Sequence, residues 1–186
     1  FLGLVGSLVI GISDFCARYV ARRNHAATTA ATGLIFATSA AVLVASFGPG
    51  GFLATDYLFG CVSGLASGCA LALLYRGLAV SSVAVVSPIV AVMLGAIPMF
   101  WEVATGTSLT TGVMSGVFIA LFGLMVTTFD PALGDRVKQG VILGLASGLC
   151  FGIGLVFMAQ TSVEGGLWPV VGQRSTACII LIGFCT

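Results

Sequence analysis

The stretch GCVSGLASG, residues 60–68, places glycine at every fourth position within an uncharged apolar run. Residues four apart lie on one face of an α-helix, and a face made of glycine lets a second membrane helix approach backbone to backbone. The same spacing recurs at Gly112 and Gly116, and in four glycines between residues 140 and 152. The pattern predicts a tightly packed helical bundle but identifies no ligand.

The composition indicates that lipid is the solvent for most of this chain. Of its 186 residues, 59% are hydrophobic and 7% are charged, and the mean hydropathy is +1.18. Soluble domains carry about 25% charged residues, so a soluble protein of this composition would lack the polar groups to cover its surface. The net charge of +1 gives no indication of a nucleic-acid partner.

Seven apolar segments approach the length that a helix needs to cross a bilayer, which is about 20 residues. They cover residues 1–21, 27–47, 57–77, 82–101, 109–129, 140–161 and 167–186. Turn-forming and charged residues separate them. The sequence therefore predicts an all-α membrane protein. Because both ends lie inside apolar runs, we expect a longer parent chain.

Charged residues at the segment ends divide between the two sides of the expected membrane. One side receives Arg22, Arg23, Arg76, Arg136 and Lys138, and the other receives Asp56, Glu102 and Glu164. Cytoplasmic loops carry an excess of Lys and Arg. This distribution therefore predicts that the first side is cytoplasmic and that the chain begins outside.

Motifs for metal binding or catalysis are missing from the sequence. The six cysteines form no CxxC pair and lie in apolar segments, where thiols behave as small hydrophobic groups. The single histidine, His25, follows the first segment, and neither HExxH nor GxSxG occurs. We expect no metal, no cofactor and no catalytic residue, so the chain is not expected to be an enzyme.

An internal repeat connects the first and sixth segments. With a shift of 141 residues, LGLVGSLVIGI at 2–12 overlays LGLASGLCFGI at 143–153. The two segments are five apart, so they are expected to cross the membrane in opposite directions. Inverted repeats with a binding site between them are typical of secondary transporters.

Three stretches carry a family resemblance: GISDFCARYVARR at 11–23, LLYRGLAVSSVAVVSPIVAVMLGAIP at 73–98 and GLWPVVGQRS at 166–175. Together with Glu102, they make the chain resemble the EamA-type transporters of the drug/metabolite transporter (DMT) superfamily. The family usually has Gly-Glu where this chain has Trp101-Glu102. The resemblance spans helices one to seven of the family's ten.

The resemblance implies two inverted five-helix repeats. Residues 1–129 would form the first repeat, 130–139 the loop between repeats, and 140–186 the truncated start of the second. It also implies transport of small metabolites or drugs, usually export, across a bacterial or archaeal cell (inner) membrane. The expected partners are the bilayer, a small-molecule substrate and a proton as coupling ion. Related transporters generally have a cytoplasmic N terminus, opposite to the orientation that the charges predict.

Asp14 is the first candidate for a functional site. It lies eight residues before Arg22, about 12 Å into the membrane, where a short carboxylate cannot reach the interface. An unpaired aspartate there costs on the order of 3 kcal/mol. Either Asp14 faces a polar cavity and binds a cation or proton, or it pairs with Arg18 four residues later.

Six further residues are candidates for the substrate pathway. They are Tyr75, Arg76, Pro88, Trp168, Gln173 and Arg174. All of them except Gln173 have a structural alternative. Tyr75, Arg76 and Trp168 fit interfacial anchors, Pro88 fits a helix kink, and Arg174 fits a side chain that extends to the interface.

A second function remains open from sequence. Glycine stripes suit a membrane scaffold or interaction subunit that transports nothing. An intramembrane Asp14 favours the transporter instead, because a scaffold has no use for a costly charge.

We expect Asp14→Asn to abolish coupled transport while the protein still inserts, because asparagine keeps the shape but removes the charge. The measurement is substrate flux in proteoliposomes. If Asp14 only neutralises Arg18, the double variant Asp14→Asn with Arg18→Gln should recover the lost activity. Full recovery would contradict a binding role for Asp14.

Overall fold

The computed structural model describes residues 26–81, 83–106, 110–128 and 135–185. The regular structure in these ranges is helical, with no strand. The helices, named here in chain order, are α1 (Ala26–Phe47), α2 (Ala54–Val80), α3 (Val83–Ala104), α4 (Thr111–Thr128), α5 (Asp135–Ala159) and α6 (Trp168–Cys185), with a short 3-10 turn at Val163–Gly165. They correspond to the second to seventh sequence segments. The first segment lies outside the described residues.

Helix α2 is the centre of the bundle, with α6 packed on one side and α5 on the other. Helix α1 packs on α6, α3 packs on α5, and α4 packs on α3. Contacts between chain neighbours such as α2 and α3 are few. The bundle is therefore held together mainly by helices that are distant in sequence.

The glycine stripe of α2 is the surface on which α6 packs. A side chain at Gly60 or Gly64 would collide with the backbone of Pro169 or Gln173, respectively. Helix α6 also has a glycine in this contact. A Cβ added at Gly172 would lie 2.8 Å from the carbonyl oxygen of Tyr57. The paired residue numbers rise together, so α2 and α6 run parallel at backbone contact distance.

The stripe of α5 packs in the same way against α3. Gly148 faces Met93 and Gly152 faces Ile97, each too closely to admit a Cβ. The third glycine pattern behaves differently, because Gly112 and Gly116 of α4 have no neighbouring atom within 4 Å of an added Cβ. The prediction of tight packing there is wrong for the described residues. Glycine spacing permits a close approach but does not provide the partner helix.

The exterior of this bundle is unusually apolar. Ser63, Ser147 and Ala70 are fully buried, whereas the exposed fraction of Phe36 is 78%, that of Phe47 is 87% and that of Phe118 is 68%. The interior combines aliphatic side chains such as Val86 with small and polar groups, and many large apolar side chains lie outside. This distribution suits a lipid surround, where polar groups need partners within the protein.

Three of the described helices are long and apolar enough to span a membrane: Ala54–Val80, Val85–Ala104 and Arg136–Ala159. Within the residues whose side chains the structure describes, α1 and α4 contribute the shorter apolar stretches Thr32–Phe47 and Thr111–Ala120. Together with the exposed apolar side chains, the three long helices indicate a membrane protein.

The charged residues gather at opposite ends of the bundle. Asp56 begins α2 and Glu164 precedes α6, and because α3 runs parallel to α5, Glu102 lies towards the same end. We call this the acidic end. Arg76 near the end of α2, and Arg136 and Lys138 at the start of α5, lie at the other, basic end.

We expect Gly60→Ala to destabilise the protein by roughly 1–3 kcal/mol, as overpacking does elsewhere, because the new methyl group meets the Pro169 backbone. Gly112→Ala is the matched control, since its methyl group enters open space and alanine favours a helix. Thermal unfolding in detergent micelles measures both. Equal stability of the two variants would contradict the packing of α2 on α6.

Exposed residues at the two ends allow a test of the bundle's direction. In a background without native cysteines, Glu164→Cys and Arg136→Cys should react with a membrane-impermeant thiol reagent from opposite sides of the membrane. The charge distribution predicts that position 136 is cytoplasmic. Labelling of position 136 from outside intact cells would instead favour the orientation that the family resemblance implies.

Candidate functional site

The described sequence candidates do not form a single site. Trp168 lies at the acidic end beside Gly60, whereas Arg76 is sixteen residues further along α2, about 24 Å away at the helical rise. Tyr75 adjoins Arg76 at the basic end and is half-buried. Asp14 and Arg18 lie outside the described residues.

Pro88 and Arg174 lie in surroundings that favour their structural interpretations. Helix α3 is continuous from Val83 to Ala104 although it contains Pro88 and Pro98, so Pro88 does not divide it into two half-helices. The side chain of Arg174 is exposed. It begins about 9 Å from the start of α6, close enough for its guanidinium group to extend to the acidic end.

Trp168 belongs to an aromatic cluster at the acidic end. Its ring meets that of Phe52 edge to face, with centroids 5.4 Å apart, and the Phe52 ring lies 5.4 Å from that of Tyr57. Aromatic rings concentrate where hydrocarbon meets water. The cluster therefore fits an interfacial anchor that joins the loop before α2 to the start of α6.

Gln173 is the one described sequence candidate that joins a polar cluster inside the bundle. Its Nε2 donates to Ser63 Oγ at 2.9 Å and to Ser67 Oγ at 3.4 Å. Ser63 Oγ in turn donates to the carbonyl oxygen of Gly154 at 2.7 Å. We call Ser63, Ser67 and Gln173 the polar seam, which links α2, α5 and α6.

The polar seam lies within the apolar part of the helices. Ser63 is seven residues after Asp56, about 10 Å below the acidic end. Further towards the basic end, Ser147 Oγ donates to the carbonyl oxygen of Ala70 at 2.8 Å. Such bonds between membrane helices contribute about 1 kcal/mol each, so Ser147 and Ser63 also stabilise the packing of α2 on α5.

The polar seam consists of uncharged hydrogen-bonding groups, and one of its hydrogen bonds is weak enough for a ligand to replace. The bond from Gln173 to Ser67 is long for a hydrogen bond to oxygen, and both residues are only half-buried. A polar ligand could replace this weak bond while Ser63 remains bonded to Gly154. Among the described residues, no group of His, Cys, Asp or Glu side chains is arranged to hold a metal ion.

Sequence analysis missed Ser63 and Ser67 because they appeared only as small residues between glycines. Their signal is the four-residue spacing, which places two hydroxyl groups on one helix face beside the glycine stripe. That spacing alone does not show that a glutamine of another helix lies opposite. The contact with Gln173 follows from the parallel approach of α6.

Asp56 is the second residue whose role the structure revises. The sequence places Asp56 only at the end of an apolar segment, and the structure shows that its exposed fraction is 5%. Its Oδ2 accepts hydrogen bonds from the Ser162 N–H at 3.1 Å and the Ser162 hydroxyl at 2.5 Å. The first turn of α2 and the start of the 3-10 turn both direct N–H groups towards this end, which favours a negative charge.

An apolar cavity of about 260 Å³ lies elsewhere, between α3 and α4. Its walls are formed by small and aliphatic residues, among them Ala91, Gly95, Met99, Val113 and Gly116. It provides no side-chain hydrogen-bonding group for a polar cargo. The polar seam is therefore the better candidate site.

Comparison with known proteins found no matching protein-family model, no matching curated protein and no matching solved structure. The features that bear on function are consequently those of the chain itself: an apolar exterior, glycine-mediated helix contacts and a polar seam within the bundle.

Proposed function

We propose that this protein is an integral membrane secondary transporter that moves small metabolites or drugs across a membrane, as an exporter. The observation that carries the proposal is the polar seam, in which the amide of Gln173 meets the hydroxyl groups of Ser63 and Ser67 inside an apolar bundle. Polar groups at this depth are expensive unless they have partners or a function.

The position of the seam supports transport. Ser63 and Ser67 belong to residues 1–129, whereas Gln173 and Gly154 belong to residues 140–186. The seam therefore lies at the junction of the two repeats that the resemblance implies. Transporters of inverted-repeat architecture bind their substrates at such junctions, inside the membrane.

The directions of α1 and α6 are compatible with inverted repeats. The 141-residue shift makes residues 27–45 the counterpart of 168–186. The loop after α1 meets the turn before α6 through a Gly51 N–H to Glu164 carbonyl bond of 3.0 Å, and Leu34 packs near Ala177 and Leu181. The two helices therefore run antiparallel, as inverted counterparts must.

A non-transporting scaffold is the second candidate, and the open side of α4 favours it. A Cβ added at Gly112 would meet no atom within 4 Å, and a helix of another subunit could occupy that space. A scaffold needs no polar seam, however, and the serine and glutamine side chains would then serve only helix packing.

We further propose a proton as the coupling ion, with Asp14 as its carrier, and a bacterial or archaeal cell membrane as the location. The cargo is a small molecule with hydrogen-bonding groups, because the seam provides amide and hydroxyl groups. No catalytic step is part of this proposal.

We expect Gln173→Leu to reduce flux roughly tenfold, the effect of losing about 1.4 kcal/mol of cargo binding. Leucine has a similar size but neither donates nor accepts a hydrogen bond. The measurement is efflux of a metabolite mixture from proteoliposomes, followed by mass spectrometry.

Gln139→Leu is the matched control, because Gln139 lies exposed near the start of α5 at the basic end. It should leave flux unchanged. Equal flux in the two variants would show that the polar seam is not part of the substrate pathway. Absence of flux for every tested cargo, with folded protein in the membrane, would favour the scaffold.

A further inference from the structure

The turn between α5 and α6, residues 160–167, lies at the acidic end of the two helices that carry Gly154 and Gln173. Gly154 lies five residues before the end of α5, and Gln173 lies five residues after the start of α6. Both positions are about 8 Å below the turn, similar to the depth of Ser63. A molecule moving from the acidic end to the seam between α5 and α6 must pass this turn.

Asp56 holds the turn against α2. Both hydrogen bonds that its Oδ2 receives come from one residue of the turn, Ser162. Hydrogen bonds to a charged acceptor are stronger than neutral ones. Neither donor is a cation, however, and burial of a carboxylate with only neutral partners opposes these bonds. The closed arrangement is therefore held with a small net gain.

Two glycines make further contacts of the turn, beside the bond from the Gly51 N–H to the Glu164 carbonyl oxygen. Gly165 packs directly against the Asp56 carboxylate, and Gly166 packs against the carbonyl oxygen of Pro49 and against Gly50. Gly166 has a φ of +53° and Gly50 a φ of +115°, conformations that glycine adopts without strain. Because glycine has the widest choice of backbone conformations, Gly165–Gly166 is the pair at which rotation of this turn is least restricted.

We propose that residues 160–167 form a lid over the polar seam. The Asp56–Ser162 hydrogen bonds keep it closed, Gly165–Gly166 serves as its hinge, and opening admits or releases cargo at the acidic end. The role in cargo passage rests on the proposed transport function. The opening itself does not, because it can be measured without transport.

The reversibility of the lid follows from its place at the membrane edge. When it opens, the Asp56 carboxylate and the Ser162 hydroxyl group exchange their mutual bonds for bonds to water, at little net cost. The same contact deeper in the bilayer would leave both groups without partners. Alternating access requires such a weakly held closure at each end of a transporter.

The test uses a single reporter cysteine, Ser67→Cys, in the protein reconstituted in liposomes after replacement of its native cysteines. A membrane-impermeant maleimide is added on the side of the acidic end. Asp56→Ala removes both bonds, so we expect labelling of position 67 to become about tenfold faster, equivalent to 1.4 kcal/mol of lost closure. Asp56→Asn keeps an acceptor without the charge and should give a smaller increase.

Glu164→Gln is the matched control. It removes a charge from the same turn, but the exposed Glu164 contributes only its backbone carbonyl to the contact with Gly51. In this control variant, position 67 should be labelled at the same rate as in the protein with Glu164 unchanged. Equal labelling rates in Asp56→Ala and Glu164→Gln, with unchanged unfolding temperatures, would overturn the lid.

A second variant keeps the test decisive if Asp56→Ala fails to fold. Cysteines at Gly51 and Glu164, whose backbones are hydrogen-bonded, should form a disulfide that holds the lid closed. We expect this disulfide to stop labelling of position 67 and a reductant to restore it. Continued labelling of the oxidised protein would exclude the lid, whereas blocked labelling without any transport would count against the proposed function alone.

Discussion

The close approach of α2 and α6 is the contact on which the other features depend. Glycines on both helices bring the backbones together, with Gly60 and Gly64 facing Pro169 and Gln173, and Gly172 facing Tyr57. Because the helices run parallel, their N termini meet at the same end, where Asp56 and Trp168 lie. The same approach brings the Gln173 side chain within hydrogen-bond distance of Ser63.

Lipid as solvent explains which groups lie inside. The apolar surface gains nothing by leaving hydrocarbon, so the bundle is held by close packing and by hydrogen bonds between helices. Ser63 and Ser147 each donate to a backbone carbonyl of a neighbouring helix. Ser81 Oγ, between α2 and α3, is a buried side-chain oxygen without a partner among the described residues. It packs against Gly140 of α5.

The seam and the lid form a connected arrangement along one side of α2. Asp56 contacts the turn at residues 160–167, and Ser63 and Ser67 follow it seven and eleven residues later, about two and three helical turns, on a helix that runs from the acidic to the basic end. Movement of α6 relative to α2 would change both the lid contact and the bond from Gln173 to Ser63. A transporter needs this kind of link between its binding site and its closure.

Much of the architecture could be predicted from the sequence because it depends on local rules. Apolar length indicates spanning helices at 54–80, 85–104 and 136–159, and glycine spacing marks the packing faces of α2 and α5. Among the candidate residues that the structure describes, Gln173 alone belongs to the polar seam. The inverted repeats, the transport function and the role of Asp14 remain proposals.

Other features required the tertiary structure, because helical periodicity identifies one face of a helix but not the helix that packs against that face. Gly112 and Gly116 share the spacing of Gly60 and Gly64, yet no atom lies within 4 Å of a Cβ added at either position. Asp56 looks like a solvated charge until the turn at Ser162, more than a hundred residues away, covers it. By itself the sequence determined an apolar, helical, glycine-striped chain. The pairing of α2 with α6 and α5 decided which polar groups meet, because such contacts depend on the position of distant helices.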